Sequence, residues 1–432
     1  MPFQTIPDTD VKYALINFDD DGRERLENGG ARFSSALVEQ VKRDRPSHVF
    51  LFSHGWKGDV PAAVDQYNRW IGAMWRLTAD RSGLGTTFRP LFIGLHWPSQ
   101  PWGDESLERG PVSFTTSGAD LIQPAFEAAV RHFGGSAAVR APLQVIFDAY
   151  RQNPGARVLP DEVVTAYHDL AKTVGFSAGG DADSPPDQDG APLDPQAAVR
   201  AERMASAGEV FGLRSSLRNG VLAGLRQVSF WLMKHRARTV GEQGMHQFVS
   251  ALQQACDARV HLMGHSFGCI VMSSVLGGPG GTGALARPVD SAVLVQGALS
   301  LWSYAEKIPG ADKPGYFRHL LAKHAVSGPL VTTQSTHDAA VGAAFPAAVG
   351  LVNEFDFGTE LPRFGGVGTW GIQGTTIAEG LTMLDPTGTY NFKAGRIYNV
   401  DGSRFIPGHS AIDGPEVAHL LWQAVVASPG RT

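Results

Sequence analysis

The sequence predicts an α/β fold built on a mainly parallel sheet, and three observations carry that prediction. Short apolar runs alternate with segments of helical periodicity toward both ends of the chain. Several of these runs, such as 48–53 (HVFLFS), are continuously apolar, the mark of strands buried on both faces of a parallel sheet. One of them, in 259–263 (RVHLM), enters the turn Gly264-His265-Ser266-Phe267-Gly268 and leaves as small and apolar residues with helical character. That is a strand–turn–helix unit.

Taken in order, 11–18 (VKYALINF) reads as the first strand and ends in the acidic turn Asp19-Asp20-Asp21-Gly22. A helix follows over 34–43, then the buried strand 48–53, which runs into His54-Gly55-Trp56-Lys57-Gly58-Asp59. Aromatic residues at helical spacing predict a helix over 61–77, and 89–96 (RPLFIGLH) is the next strand. About 160 residues then separate this strand from 259–263, where one crossover helix would serve. Something is inserted there. Helices are expected at 119–133, 142–152, 161–173 and 219–234, around a polar, Pro-rich loop. The stretch 219–234 (NGVLAGLRQVSFWLMK) is apolar over more than one face, so it should pack on a core or line a pocket. After the turn at Ser266 come strands at 291–296 (SAVLVQ), 329–334 (PLVTTQ) and 396–400 (RIYNV), with a Gly- and aromatic-rich excursion of weak regular structure over 342–389. A helix over 414–427, opened by Asp413 and Pro415, closes the chain.

Bulk properties narrow the function classes. An apolar share of 43% with 18% charged residues suits a globular protein with a sizeable core. The net charge of −5, without a Lys/Arg run, disfavours nucleic acid and strongly anionic partners. No uninterrupted apolar run is long enough to span a bilayer, and the N-terminal MPFQTIPDTD lacks the features of a signal peptide. The expectation is a cytoplasmic protein, with secretion by a signal-free route as the alternative. Cys256 and Cys269 form no metal or redox motif and read as free thiols.

The Gly-x-Ser-x-Gly pattern alone says little, because in a chain this rich in glycine chance supplies a match about half the time. A second copy, Gly175-Phe176-Ser177-Ala178-Gly179, follows a helical segment and precedes a Pro-rich stretch, so it reads as loop. Two Gly-x-Gly-x-x-Gly matches, at 278–283 and 366–371, follow no apolar strand and read as Gly-rich loops. Ser266 is different. Its turn needs small residues on either side, and it would hold a hydroxyl above the sheet at the positive end of a helix.

A serine hydroxyl is a poor nucleophile at neutral pH and needs a histidine base and an acid to orient that base. Asp338 sits directly past the strand at 329–334, and His409 lies on a loop after the last strand. Rivals are placed less well: His419 is mid-helix, His324 precedes a strand, His337 adjoins the acid, and Asp401-Gly402 reads as a turn. An oxyanion would need two backbone donors. Phe267 N–H supplies one, and the loop after 48–53 supplies the other, from Trp56 or alternatively Lys57. His54, Gly55, Lys57 and His265 surround the site as candidate substrate-binding residues, with His54 bracing its loop and His265 and Phe267 packing beside the serine.

In these pieces, His54-Gly55-Trp56, Gly264-His265-Ser266-Phe267-Gly268, Asp338 and His409 in the order serine, acid, histidine, the chain resembles the α/β-hydrolase superfamily, of the serine esterase and lipase type. The resemblance covers roughly 11–100 and 240–430. It implies an α/β-hydrolase fold, with a mostly parallel eight-stranded sheet flanked by helices, one antiparallel strand near its start, and no metal or organic cofactor. The organisation expected is a first core segment at 1–104, a helical lid or cap at 105–240, and a second core segment at 241–432. The function expected is hydrolysis of a carboxylic ester through an acyl-serine intermediate, on a small-molecule or lipid ester, with the lid as a possible interfacial contact. Alternatives are a phospholipase-like toxin or effector, a thioesterase, and a non-catalytic binding protein on a hydrolase fold.

Overall fold

In the computed structural model, residues 3–26, 30–55, 59–99, 119–175, 193–200, 220–311, 313–338, 341, 361–362 and 365–429 are described. The chain divides into two compact units, one of 1–99, 236–342 and 365–432, the other of 100–235 and 343–364. The insertion expected at 105–240 is a single stretch, whereas the second unit joins 100–235 to 343–364, a segment of the aromatic-rich excursion.

The first unit is organised on nine strands: β1 (Phe3–Thr5), β2 (Lys12–Asn17), β3 (His48–Ser53), β4 (Pro90–His96), β5 (Arg259–His265), β6 (Ser291–Val295), β7 (Leu330–Gln334), β8 (Ala378–Thr382) and β9 (Ile397–Asp401). Their order across the sheet is β1-β2-β4-β3-β5-β6-β7-β9-β8. Only β1, at one edge, runs antiparallel to its neighbour. The eight strands expected are therefore nine. Seven were legible as apolar runs. β1 is three residues long, and β8 (AEGLT) is a largely exposed edge strand with little apolar character. The central β3 is buried along its whole length, pairs on both sides and aligns Ser53 with Gly264 of β5.

Helices cover both faces. On one, the helix of 60–76 and the C-terminal helix (Pro415–Val426) pack onto the strands, with Tyr67, Trp70 and Trp422 against Phe50, Phe52 and Phe92. This aromatic layer buries area that no aliphatic set of the same count would match, at about 1.5–3 kcal/mol per fully buried side chain. Helix α1 (Phe33–Asp44) is followed by α2 (Val60–Arg76), which starts where Asp59 accepts from Ala62 N–H at 2.7 Å. Its buried residues Ala63, Tyr67, Trp70, Ile71 and Met74 form one stripe at helical spacing. The C-terminal helix is capped by Gly414, with no side-chain bond. Asp413, expected to open it, instead pairs with Arg69 of α2 at 2.9 Å.

Among its described residues the second unit contains helices joined by turns and no strand. Helices α3 (Ala119–His132), α4 (Ala137–Gln152) and α5 (Asp161–Thr173) pack successively, with Phe126 edge-on to Phe147 at 5.5 Å. The helix expected from 142 begins a turn earlier, because Ser136 accepts from Val139 N–H and Pro142 sits inside the helix. Helix α6 (Ala223–Val240) runs six residues beyond the predicted end at Lys234. In the first unit, a π-helical turn (Gly241–Met245) and α7 (His246–Ala255) precede β5, where no element is expected from the sequence. Among the described residues no helix is long and apolar enough to cross a membrane.

Candidate active site

The strand ends of β3, β5, β6, β7 and β9 all face one edge of the parallel sheet, so residues far apart in the chain meet there. Strand β5 ends at His265, and helix α8 (Gly268–Gly277) starts three residues later. Ser266 between them takes a left-handed φ of 55°, costing about 1–2 kcal/mol for a residue with a Cβ. The surroundings hold it there: Ser266 N–H donates to Val295 carbonyl, and its own carbonyl accepts from Ala298 N–H, both at 3.1 Å. The flanking glycines are sterically required. A Cβ on Gly264 would stand 2.5 Å from Gly268 carbonyl oxygen, and one on Gly268 would run into the carbonyl of Ser53.

Ser266, His409 and Asp338 form a continuous hydrogen-bonded chain. His409 Nε2 lies 2.8 Å from Ser266 Oγ, and His409 Nδ1 lies 2.9 Å from Asp338 Oδ2. A carboxylate only accepts, so Nδ1 carries the hydrogen and Nε2 presents its lone pair to the serine hydroxyl. Asp338 is buried, and three donors meet its two oxygens. Val341 N–H reaches Oδ1 at 3.0 Å, while Gln296 Nε2 at 2.9 Å joins His409 on Oδ2. Such an arrangement can draw a proton from the serine and hold a developing imidazolium beside a fixed negative charge.

The flanking residues brace this chain. His265 Nε2 donates to His409 carbonyl at 3.0 Å, and its Nδ1 accepts from Gln66 Nε2 of α2 at 3.1 Å. Burial, and secondarily the nearby His409, pushes its pKa down to about 3, so it stays neutral. His54 is also buried and pushed down to about 3 by burial and then by His96. Its Nδ1 donates to Gly55 carbonyl at 2.8 Å and its Nε2 accepts from Trp97 N–H at 3.3 Å, with the two rings stacked. His54 and His265, expected beside the substrate, have both ring nitrogens engaged within the protein. Gly55 does border the serine: a Cβ there would lie 2.5 Å from Ser266 Cβ.

Phe267, expected to supply an oxyanion donor, is buried as the residue from which α8 departs, directly after Ser266 and at the positive end of that helix. Trp56 and Lys57, the other expected contributors, lie outside the described residues, as does Ser177. His419, the mid-helix rival, is buried 2.9 Å from the carboxylate of Asp80 and is not part of this site. Asp401 closes a turn onto Ser403. Among the described residues no group of three or more His, Cys, Asp or Glu could hold a metal ion.

Gln296 and Gln66 were not singled out from the sequence. Gln296 carries a faint signal, as the one polar residue ending the apolar run 291–296; Gln66 carries none. Compared with protein-family models, with curated proteins and with solved structures, the chain matches none of them.

Proposed function

We propose that this protein is a serine hydrolase of the α/β-hydrolase type that cleaves carboxylic esters through an acyl-serine intermediate. The observation that carries the proposal is the chain Ser266 Oγ–His409 Nε2–His409 Nδ1–Asp338 Oδ2, with links of 2.8 and 2.9 Å, built on a left-handed serine at the carboxyl end of a central strand. A half-buried histidine held between a hydroxyl and a carboxylate has a direct chemical use in nucleophilic catalysis.

In this mechanism Ser266 Oγ attacks the ester carbonyl carbon while its proton passes to His409 Nε2. The carbonyl oxygen becomes an oxyanion, held by Phe267 N–H and by the loop that carries Trp56. The tetrahedral intermediate collapses, the C–O bond to the alcohol breaks, and His409 returns the proton to the leaving alkoxide. Water, giving a proton to His409, then attacks the acyl-Ser266 carbonyl; the C–Oγ bond breaks, His409 returns the proton to Ser266 Oγ, and the acid leaves. Asp338 stays ionised throughout and stabilises the imidazolium in both halves.

A fluorophosphonate probe should label the protein at Ser266, and Ser266→Ala should abolish both labelling and turnover of a chromogenic ester series. Labelling that survives Ser266→Ala, or folded wild type inert to the probe and to ester, thioester and amide panels, overturns the proposal. The chain length at which turnover peaks defines the acyl preference.

A further inference from the structure

Segment 295–298, at the carboxyl end of β6, touches both ends of the hydrogen-bonded chain. Val295 carbonyl accepts from Ser266 N–H and Ala298 N–H donates to Ser266 carbonyl, so the segment grips the serine by its backbone. Between them Gln296, fully buried and at a left-handed φ of 47°, turns its side chain to the acid. Its Nε2 donates to Asp338 Oδ2 at 2.9 Å and to Gly368 carbonyl at 3.3 Å.

The orientation of that amide is determined. Thr333 Oγ1 of β7 accepts from Gln296 N–H at 3.0 Å, so its own hydrogen is free for another acceptor, and it meets Gln296 Oε1 at 2.9 Å. Oε1 is thus tied to the hydroxyl, and the NH2 group is directed at the carboxylate. Each polar atom in this small network has a partner of the right kind, all of them buried. Gly368 carbonyl also accepts from Ser335 N–H at 2.8 Å, and Ser335 carbonyl accepts from Asp338 N–H at 3.1 Å. The backbone that carries the acid is therefore clamped to the same point as the side chain that steadies it.

We infer that Gln296, oriented by Thr333, is the positioning residue for the acid: it fixes Asp338 Oδ2 against His409 and sets the spacing of the acid from Ser266. It touches neither serine nor substrate and acts through Asp338. The inference deepens the proposed function and rests on it, so its test needs one readout that does not depend on turnover.

Gln296→Leu should lower kcat and the rate of fluorophosphonate labelling by about 10–100-fold, with KM changed less than about threefold. Thr333→Val, which keeps the shape and removes the hydroxyl, should change both rates in the same direction by less. Gln296→Glu supplies a donor only while protonated, because two adjoining carboxyl groups ionise together with difficulty. Its rate relative to wild type should therefore fall progressively as pH rises. A purely structural role would give a pH-independent ratio. The downfield proton resonance of His409 Nδ1–H, read by NMR in the unreacted protein, should shift or broaden in Gln296→Leu and disappear in Asp338→Asn. Rates within twofold of wild type in Gln296→Leu and Thr333→Val, a flat ratio in Gln296→Glu and an unmoved resonance overturn the inference. Should wild type prove inert to the probe, the proposed function fails, and the resonance alone decides whether Gln296 positions the Asp338–His409 pair. If Gln296→Leu does not fold, Thr333→Val carries the test.

Discussion

His265 Nε2 donates to the main-chain carbonyl of His409, so the residue preceding the serine on β5 fixes the backbone of the histidine that faces that serine. Gln66 anchors the other nitrogen of the same ring to α2. A second tie, Arg69 to Asp413, holds the loop of His409 to the same helix. Loop, strand and helix thus meet at one buried imidazole. His265→Ala should leave the His409 carbonyl without its donor, cost about 1–3 kcal/mol of stability and slow labelling about tenfold, equivalent to 1.4 kcal/mol. Labelling rate and urea unfolding measure the two effects separately, and an unchanged labelling rate would remove His265 from the site.

Asp338→Asn is informative because every neighbour of the acid is a donor. Turning the new NH2 toward Val341 sets it against an N–H, and turning it toward Oδ2's place sets it against Gln296 and forces the wrong tautomer on His409. The expected result is a fall in kcat of about a thousand- to ten-thousand-fold with little change in KM. A loss below tenfold in steady-state kinetics would be inconsistent with the assigned acid.

Gly55→Ala should displace Ser266 from a loop that is remote in sequence. The new Cβ would stand 2.5 Å from Ser266 Cβ and 3.0 Å from His265 carbonyl oxygen, and neither can swing away. Labelling should slow by at least about 100-fold, and stability should fall by about 1–3 kcal/mol. Wild-type labelling in the alanine variant would show that the close approach of the two loops has no bearing on the serine.

Acid should weaken the fold through the same histidines. Burial holds His54 and His265 near a pKa of about 3, whereas the unfolded chain titrates them at about 6.5. Between those values the unfolded state binds more protons, so the stabilisation is full above pH 6.5 and is lost as pH falls toward 3. From pH 7 to pH 5 each histidine should cost about 2 kcal/mol. Urea unfolding at the two pH values tests this: His265→Gln should show a smaller acid-induced drop than wild type by that amount. Identical drops would mean that His265 is not held neutral.

Much of this architecture was legible because parallel strands buried on both faces read as unbroken apolar runs. HVFLFS, RVHLM, SAVLVQ and RIYNV could hardly be placed elsewhere. The meeting of Ser266, Asp338 and His409 followed from strand ends, since a parallel sheet gathers those ends at one edge. The short β1 and the polar β8 escaped because edge strands need no apolar pattern. Gln296, Gln66 and the ring partners of His54 escaped for another reason. Their roles depend on which way a side chain points across 42 to 199 residues of separation, from the Gln296–Asp338 bond to the Gln66–His265 bond, and no local pattern encodes that.

Ser266 and Gln296 end neighbouring strands, and both hold the left-handed backbone that favours glycine. Each carries about 1–2 kcal/mol of strain that a glycine would relieve. A protein evolved or engineered for heat resistance alone would therefore be drawn toward glycine at Ser266, whereas at Gln296 the buried bonds to Asp338 and Thr333 oppose that drift. Retention of serine under such pressure would record selection on chemistry, acting against the folding preference of the chain.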